Sequence, residues 1–319
     1  ALLYLSKERL TEIRDRVFTL PDPHRIIIEL RGGVPPAPGS AAAGPPDGEK
    51  APPAPPQERR AGPPPKPAPA PKKRQEMSLA ERFQAGQGRI MLDPGHGGRD
   101  PGSSGLYGLV EKEFVLDLAQ RTSKALQRLL PGSEVRLTRR GDTFLALDRR
   151  TAMANERDAD VFISLHANSS PLSRTSGIET YLLSEASSSR ALEIAAKENE
   201  VTLAEMSDLQ KILYDLMQRS KVNESRELAE EVHRSLLGQL GRRYPGVNDL
   251  GVKRGPFYVL LGARMPCILV EVGFLSNPLE AKRSLQGAFR QAIAEGIAEG
   301  VVRFAGAQAR TAQSPAPPR

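Results

Sequence analysis

Arg89-Ile90-Met91-Leu92-Asp93-Pro94-Gly95-His96-Gly97-Gly98 carries a short apolar run into a glycine-rich turn. The run reads as a buried β-strand, and the glycines let the backbone turn tightly and come close to a ligand. Val161-Phe162-Ile163-Ser164-Leu165-His166 repeats the arrangement, an apolar strand closed by a histidine. The chain has four histidines, so two of the four end predicted strands. The other two are His24 and His233.

Working outward from these two strands, helical and strand patterns alternate. Glu111–Leu130 places Phe114, Leu118, Ala119 and Leu126 at helical spacing. Glu134–Thr138 reads as a strand, Leu147–Arg157 as a helix and Gly177–Leu183 as a strand. Ser187–Leu240 is helical with interruptions. Pro256–Leu261 and Cys267–Val272 read as strands, and Pro278–Phe304 as helix. This order predicts an α/β fold of the phosphorylase/hydrolase-like kind. It has a mainly parallel twisted sheet with helices on both faces, a helical insertion and a disordered Pro-rich linker. Sites in such sheets lie beyond the strand ends.

The rest of the chain differs in composition. Residues 1–33 hold a strand, His24-Arg25-Ile26-Ile27-Ile28-Glu29-Leu30, but are too few to bury a core alone. They read as the remnant of a truncated β domain. Residues 34–77 read as a linker: 15 of the 28 prolines fall in its stretch Val34–Lys73, and such a segment cannot offset its ordering entropy. Residues 78–307 form the expected catalytic domain, with a helical insertion at about 184–250, and 308–319 read as a disordered tail.

The net charge of +7 suits an anionic partner without choosing one. Aromatic residues make up 5% and lie beside no arginine-rich run, which argues against nucleic acid. No stretch is long and apolar enough for a membrane span. A single cysteine, Cys267, excludes an internal disulfide; it sits in an apolar run and reads as a buried, inert thiol.

The chemistry rests on four residues. His96 and His166 close strands, Glu111 opens the helix after His96, and Glu271 ends the apolar strand beginning at Cys267. Two histidines and one glutamate form a common catalytic zinc set with a position left for water. A second, buried glutamate has the raised pKa suited to a general base. Taken singly, each residue also has a plain reading. A strand-end histidine is often a satisfied polar group, Glu111 suits a helix N-terminus, and Glu271 could pair with Arg264 or Lys253.

Four blocks occur in order: Asp93-Pro94-Gly95-His96-Gly97-Gly98-Arg99-Asp100-Pro101-Gly102, Glu111-Lys112-Glu113, Ser164-Leu165-His166-Ala167-Asn168, and Val270-Glu271-Val272-Gly273-Phe274-Leu275-Ser276-Asn277. Together they resemble the N-acetylmuramoyl-L-alanine amidases of bacterial cell separation, over about Arg89–Phe304. The resemblance implies one zinc ion on His96, Glu111 and His166, with Glu271 as the acid/base. The implied substrate is the amide between N-acetylmuramic acid and L-alanine in peptidoglycan. The implied setting is the periplasm or another extracytoplasmic site. The first strand is similar to the end of the small wall-binding β domain that precedes many such enzymes.

The stretch from Leu183 to Gly251 is long for a connection in a compact sheet protein. An ordinary helical cover would explain it. Division amidases with an insert at this point keep the site covered until an activator protein withdraws the insert. By that resemblance Glu198, Glu200 and Glu205 are candidates to reach the zinc. His233 reads as solvent-facing or packing. Competing readings are a non-catalytic peptidoglycan-binding protein, a zinc carboxypeptidase on wall peptides using Arg254 or Arg264, and a polyanion-binding protein.

Overall fold

A computed structural model describes residues 17–20, 25–28, 74–206 and 221–313. The chain divides into two units, Ala1–Pro67 and Ala68–Arg319. In the first, β1 (Val17–Leu20) pairs antiparallel with β2 (Arg25–Ile28), Val17 opposite Ile28. The expected strand around Ile26 is therefore one arm of a hairpin. The Pro-rich segment 34–73, the stretch 207–220 within the expected helical insertion and the last residues, 314–319, lie outside the described residues.

The second unit is built on a six-stranded sheet. Its strands are β3 (Arg89–Pro94), β4 (Glu134–Leu137), β5 (Val161–Asn168), β6 (Ile178–Leu183), β7 (Asp249–Gly255) and β8 (Cys267–Phe274). Their spatial order is β4-β3-β5-β8-β6-β7. The first four run parallel; β6 is antiparallel to β8, and β7 follows β6 in parallel.

Every residue of β5 and β8 is buried, as expected of central strands covered on both faces. Successive side chains alternate between two cores. Ile90, Leu92, Val161, Ile163 and Leu165 join the larger core. Met91, Phe162, Tyr181 and Leu269 join the smaller one. The larger core is closed by α2 (Glu111–Leu129), α5 (Val222–Gly241) and α7 (Gly287–Gln313). The smaller is closed by α3 (Leu147–Glu156) and α4 (Ser189–Glu198). Truncating a fully buried side chain here, such as Leu118 or Phe162, should cost about 2–5 kcal/mol. Short α1 (Leu79–Gln84) starts with a reciprocal cap: Ser78 Oγ accepts from Glu81 N, and Glu81 accepts from Ser78 N. Short α6 (Pro278–Ser284) is capped by Asn277, whose side chain accepts from Leu279 N and Glu280 N.

Two sequence expectations change, and of the two readings of His233 the packing one holds. Pro256–Leu261 is not a strand: the strand is Asp249–Gly255, and Tyr258–Leu260 forms a 3-10 turn. Pro256 has no N–H for a ladder, and Phe257, Val259 and Leu260 are buried from a turn instead. The long helical stretch also divides in two. Leu228, Val232, Leu236 and Leu240 of α5 lie in the larger core against α7, so α5 is a structural layer. Among the described residues of the stretch, the end of α4 lies over the strand ends. His233 is buried and bridges Thr180 Oγ1, at 3.0 Å, to Asp249 Oδ1, at 2.8 Å.

Candidate metal centre

β5 and β8 are adjacent, and their register sets His166 opposite Glu271. β3 lies on the other side of β5, and its exit turn carries His96. His96 has φ +55°, a left-handed conformation that costs a non-glycine residue about 1–3 kcal/mol. Gly95 must be a glycine: a Cβ there would stand 2.4 Å from the His166 ring. The two imidazoles meet edge to face with centroids 4.8 Å apart.

Glu111, the first residue of α2, is fully buried. Its Oε2 accepts from Ser103 N at 2.7 Å and its Oε1 from Ala167 N at 2.9 Å. That Oε1 lies 3.1 Å from His96 Nε2 and 3.2 Å from His166 Nδ1. Glu198, the last residue of α4, closes the group from above: its Oε2 is 3.3 Å from His96 Nε2 and 2.9 Å from His166 Nδ1. One donor atom from each of the four residues lies within 4.8 Å of every other.

These atoms suit a cation better than one another. His96 Nε2, His166 Nδ1 and Glu198 Oε2 are buried without a hydrogen-bond partner, so they aim at a shared centre. Two imidazoles and two carboxylates at this separation require positive charge among them, as protons or as a metal ion. Burial would lower the His96 pKa, but Glu111, Asp100 and Glu198 together outweigh it and push it up to about 12. Burial is likewise overcome at His166, where Glu198 and then Glu111 raise the pKa to about 9. Against their own burial, Glu111 and Glu198 are held below the usual carboxylate range, Glu111 chiefly by His96 and Glu198 by His166. The four residues could therefore hold a metal ion, with the nitrogen and carboxylate donors that a transition metal accepts.

Asp100 is a support that the sequence reading missed. Its Oδ2 lies 2.7 Å from His96 Nδ1, and its Oδ1 accepts from Gly102 N at 2.9 Å. A proton on Nδ1 directed at Asp100 leaves Nε2 free as a ligand atom. A carboxylate four residues after a candidate ligand, in the same turn, was the available signal.

Glu271 is fully buried, and neither carboxylate oxygen has a hydrogen-bond partner. Burial, then the nearby Glu198 charge, lifts its pKa well above the ordinary carboxylate value. It pairs with neither Arg264 nor Lys253; Lys253 instead lies 3.2 Å from Glu179. Of the three insert candidates, only Glu198 reaches the group. Glu200 is exposed. Glu205 turns back to accept from Thr202 N and Oγ1, each at 2.8 Å. Cys267 is buried, and burial pushes its thiol up to about 12, so it is inert.

Two neighbours fix the end of α4. Lys197 Nζ donates to Ser103 Oγ at 2.7 Å. Asn199 Nδ2 donates to Pro256 O at 2.8 Å, and its Oδ1 accepts from Tyr258 N at 2.8 Å. A cleft of about 600 Å³ runs from His96, His166 and Glu198 past Phe144, Leu147 and Asn155. No described helix is long and apolar enough to cross a membrane.

Residues 90–303 match the family described as N-acetylmuramoyl-L-alanine amidase. The amidase AmiC of Neisseria meningitidis serogroup B is 38% identical over 245 residues, which is 72% of this chain and 57% of that protein. The amidase AmiA of Escherichia coli is 34% identical over 224 residues, 67% of this chain and 75% of the relative. This chain thus spans little more than half of the Neisseria protein and three quarters of the E. coli one. The solved catalytic domain of CwlV, an N-acetylmuramoyl-L-alanine amidase from Bacillus (Paenibacillus) polymyxa var. colistinus, superimposes with a TM-score of 0.51 at 30% identity. That match covers 68% of this chain and 97% of the solved one. His96, Glu111, His166, Glu198 and Glu271 all stand within the matched region, and the chain belongs to the N-acetylmuramoyl-L-alanine amidase family.

Proposed function

We propose that this chain is a zinc-dependent peptidoglycan amidase in a closed state, in which Glu198 covers the metal site. It cuts the amide between the lactyl group of N-acetylmuramic acid and L-alanine, in wall remodelling or daughter-cell separation. The observation that carries this reading is the convergence of His96, Glu111, His166 and Glu198 beside a buried, unpartnered Glu271.

His96 through Nε2, His166 through Nδ1 and Glu111 through Oε1 would hold the ion. Zinc there would supply Lewis-acid polarisation of the scissile carbonyl and lower the pKa of water. Glu271 takes the proton of the attacking water and passes it to the nitrogen of the departing L-alanine, so that the amine leaves neutral. Its dry surroundings keep its proton affinity high enough for both transfers. Asp100 fixes the tautomer of His96.

Glu198 occupies the position that water and substrate need. Opening moves the end of α4 away and breaks the contacts of Lys197 and Asn199. An activator protein acting on α4 and the following segment would supply that free energy. The substrate places the enzyme outside the cytoplasm, and the N-terminal hairpin is read as a remnant of a wall-binding domain.

Digestion of purified peptidoglycan by the zinc-loaded protein, with identification of the soluble products, tests the activity. Whole stem peptides with a free L-alanine amino terminus support it. Release of single amino acids would indicate the carboxypeptidase reading. Binding of the wall without cleavage, in wild type and in a variant lacking 197–223, would favour a non-catalytic role.

A further inference from the structure

Two buried arginines wrap the turn that carries His96. Arg139 and Arg150 are only 4% and 2% exposed. Arg139 Nε donates to Pro94 O at 3.0 Å, and its terminal nitrogens donate to Gly95 O at 2.6 Å and to Gly141 O at 3.1 Å. Arg150 donates to the same Pro94 O at 2.9 Å, to His96 O at 3.0 Å and to Leu145 O at 3.1 Å. Three successive carbonyls, those of Pro94, Gly95 and His96, thus end on guanidinium groups. Arg139 also donates to Lys112 O at 2.8 Å, on the residue next to Glu111. One guanidinium therefore ties the residue before one candidate ligand, His96, to the residue after another, Glu111.

The two guanidinium groups are close neighbours in a buried place. Burial, and then the charge of Arg150, depress the pKa of Arg139, so two like charges are held side by side in a dry place. Asp93 offsets them: its Oδ1 accepts from Arg150 at 3.0 Å and from Thr138 at 2.5 Å, and its Oδ2 from Ser164 at 2.8 Å. A buried cluster of this kind gives little net stability over an apolar replacement. What it does supply is geometry, since a planar fork with five fixed donors reaches carbonyls spread around it in set directions, which the compact ammonium of a lysine does not. The object held is the turn in which His96 adopts its left-handed backbone.

We propose that Arg139 and Arg150 are positioning residues of the metal centre: acting through backbone carbonyls, they set the placement of His96 relative to Glu111 and so the affinity of the site for its metal. This rests on the metal-centre reading above. Neither arginine has a described bond to a ligand atom of the centre.

The test is zinc affinity, measured by competition with a chromophoric chelator, for wild type, Arg139→Lys and Arg150→Lys. Thermal melting of the zinc-free proteins and the visible spectrum of the cobalt-loaded forms accompany it. Arg139→Lys should bind zinc about 10- to 100-fold more weakly, with an altered cobalt spectrum and a melting temperature of the zinc-free protein close to wild type. Its kcat should fall more than its KM rises. Arg150→Lys should do the same and carries the test alone if Arg139→Lys does not fold. Wild-type zinc affinity and spectrum in a folded variant would overturn the proposal. So would unfolding of both variants in excess zinc, because the arginines would then hold the domain rather than the site. A wild-type protein that binds no zinc would instead overturn the metal-centre reading itself.

Discussion

The carboxylate of Glu198 lies 2.9 Å from Nδ1 of His166, on the side of the imidazole that also faces Glu111. Glu198 belongs to a helix over the sheet and His166 to the sheet itself, so this contact joins α4 to the candidate centre. Its first consequence concerns rate. If α4 is closed in all but about one molecule in a hundred, removing the carboxylate raises turnover by up to about 100-fold. Glu198→Ala at saturating zinc should therefore release stem peptides roughly 10- to 100-fold faster than wild type.

Glu271→Gln keeps the size of the side chain and removes its capacity to carry a proton. Turnover should fall roughly 100- to 10,000-fold, while zinc affinity, read with a chelator, stays close to wild type. A comparable loss of zinc binding would mean that Glu271 is a ligand.

Metal removal should be visible in stability. A ligand that binds only the folded state adds about 2.7 kcal/mol when present at 100 times its Kd. In a domain of this size that is roughly a 5–10 °C rise in Tm, reversed by a chelator. His166→Ala should melt at the same temperature with and without zinc.

Glu280 gives a pH-dependent term away from the metal site. Burial raises its pKa to about 7, although Phe274 N and Gly177 N donate to it at 2.7 and 2.9 Å. A raised pKa stabilises the fold fully below the unfolded value, near 4.5, and that contribution is lost as pH rises through about 7. Glu280→Gln keeps an acceptor and cannot ionise. Its melting temperature relative to wild type should climb by a few degrees between pH 5 and pH 8.

Close packing of α5 on α7 makes Gly300 irreplaceable. A Cβ there would stand 2.4 Å from Val232 Cα, which is backbone and cannot rotate aside. Helix propensity favours alanine by about 1 kcal/mol, but overpacking costs about 1–3 kcal/mol. Gly300→Ala should lower stability in denaturant titration.

Much of this was legible in the sequence because the informative residues end regular elements. The strand closed by His166, the glycine turn after Leu92 and the helix opened by Glu111 are local signals, and parallel pairing brings their ends together. Glu198 was one of three glutamates and could not be singled out. Its placement depends on Asn199 holding Pro256 and Tyr258, residues more than fifty positions away. Asp249–Gly255 was overlooked as a strand because its burial is patchy and Gly251 interrupts it. The role of α5 was missed because a helix packed on another helix looks the same as an insert until its partner is known. Arg139 and Arg150 carried no local sign, since their partners are backbone carbonyls.

In the proposed reading His96, Glu111 and His166 hold a catalytic metal that Glu198 blocks. Its most direct test is digestion of purified peptidoglycan by Glu198→Ala, zinc-loaded and chelator-treated, beside wild type and the double variant with Glu271→Gln. Stem peptides with free L-alanine amino termini should appear fastest in zinc-loaded Glu198→Ala, slowly in wild type, and be nearly absent with chelator or in the double variant. A folded, zinc-loaded Glu198→Ala protein no faster than wild type would contradict the lock, and one that released no stem peptide at all would contradict the amidase centre.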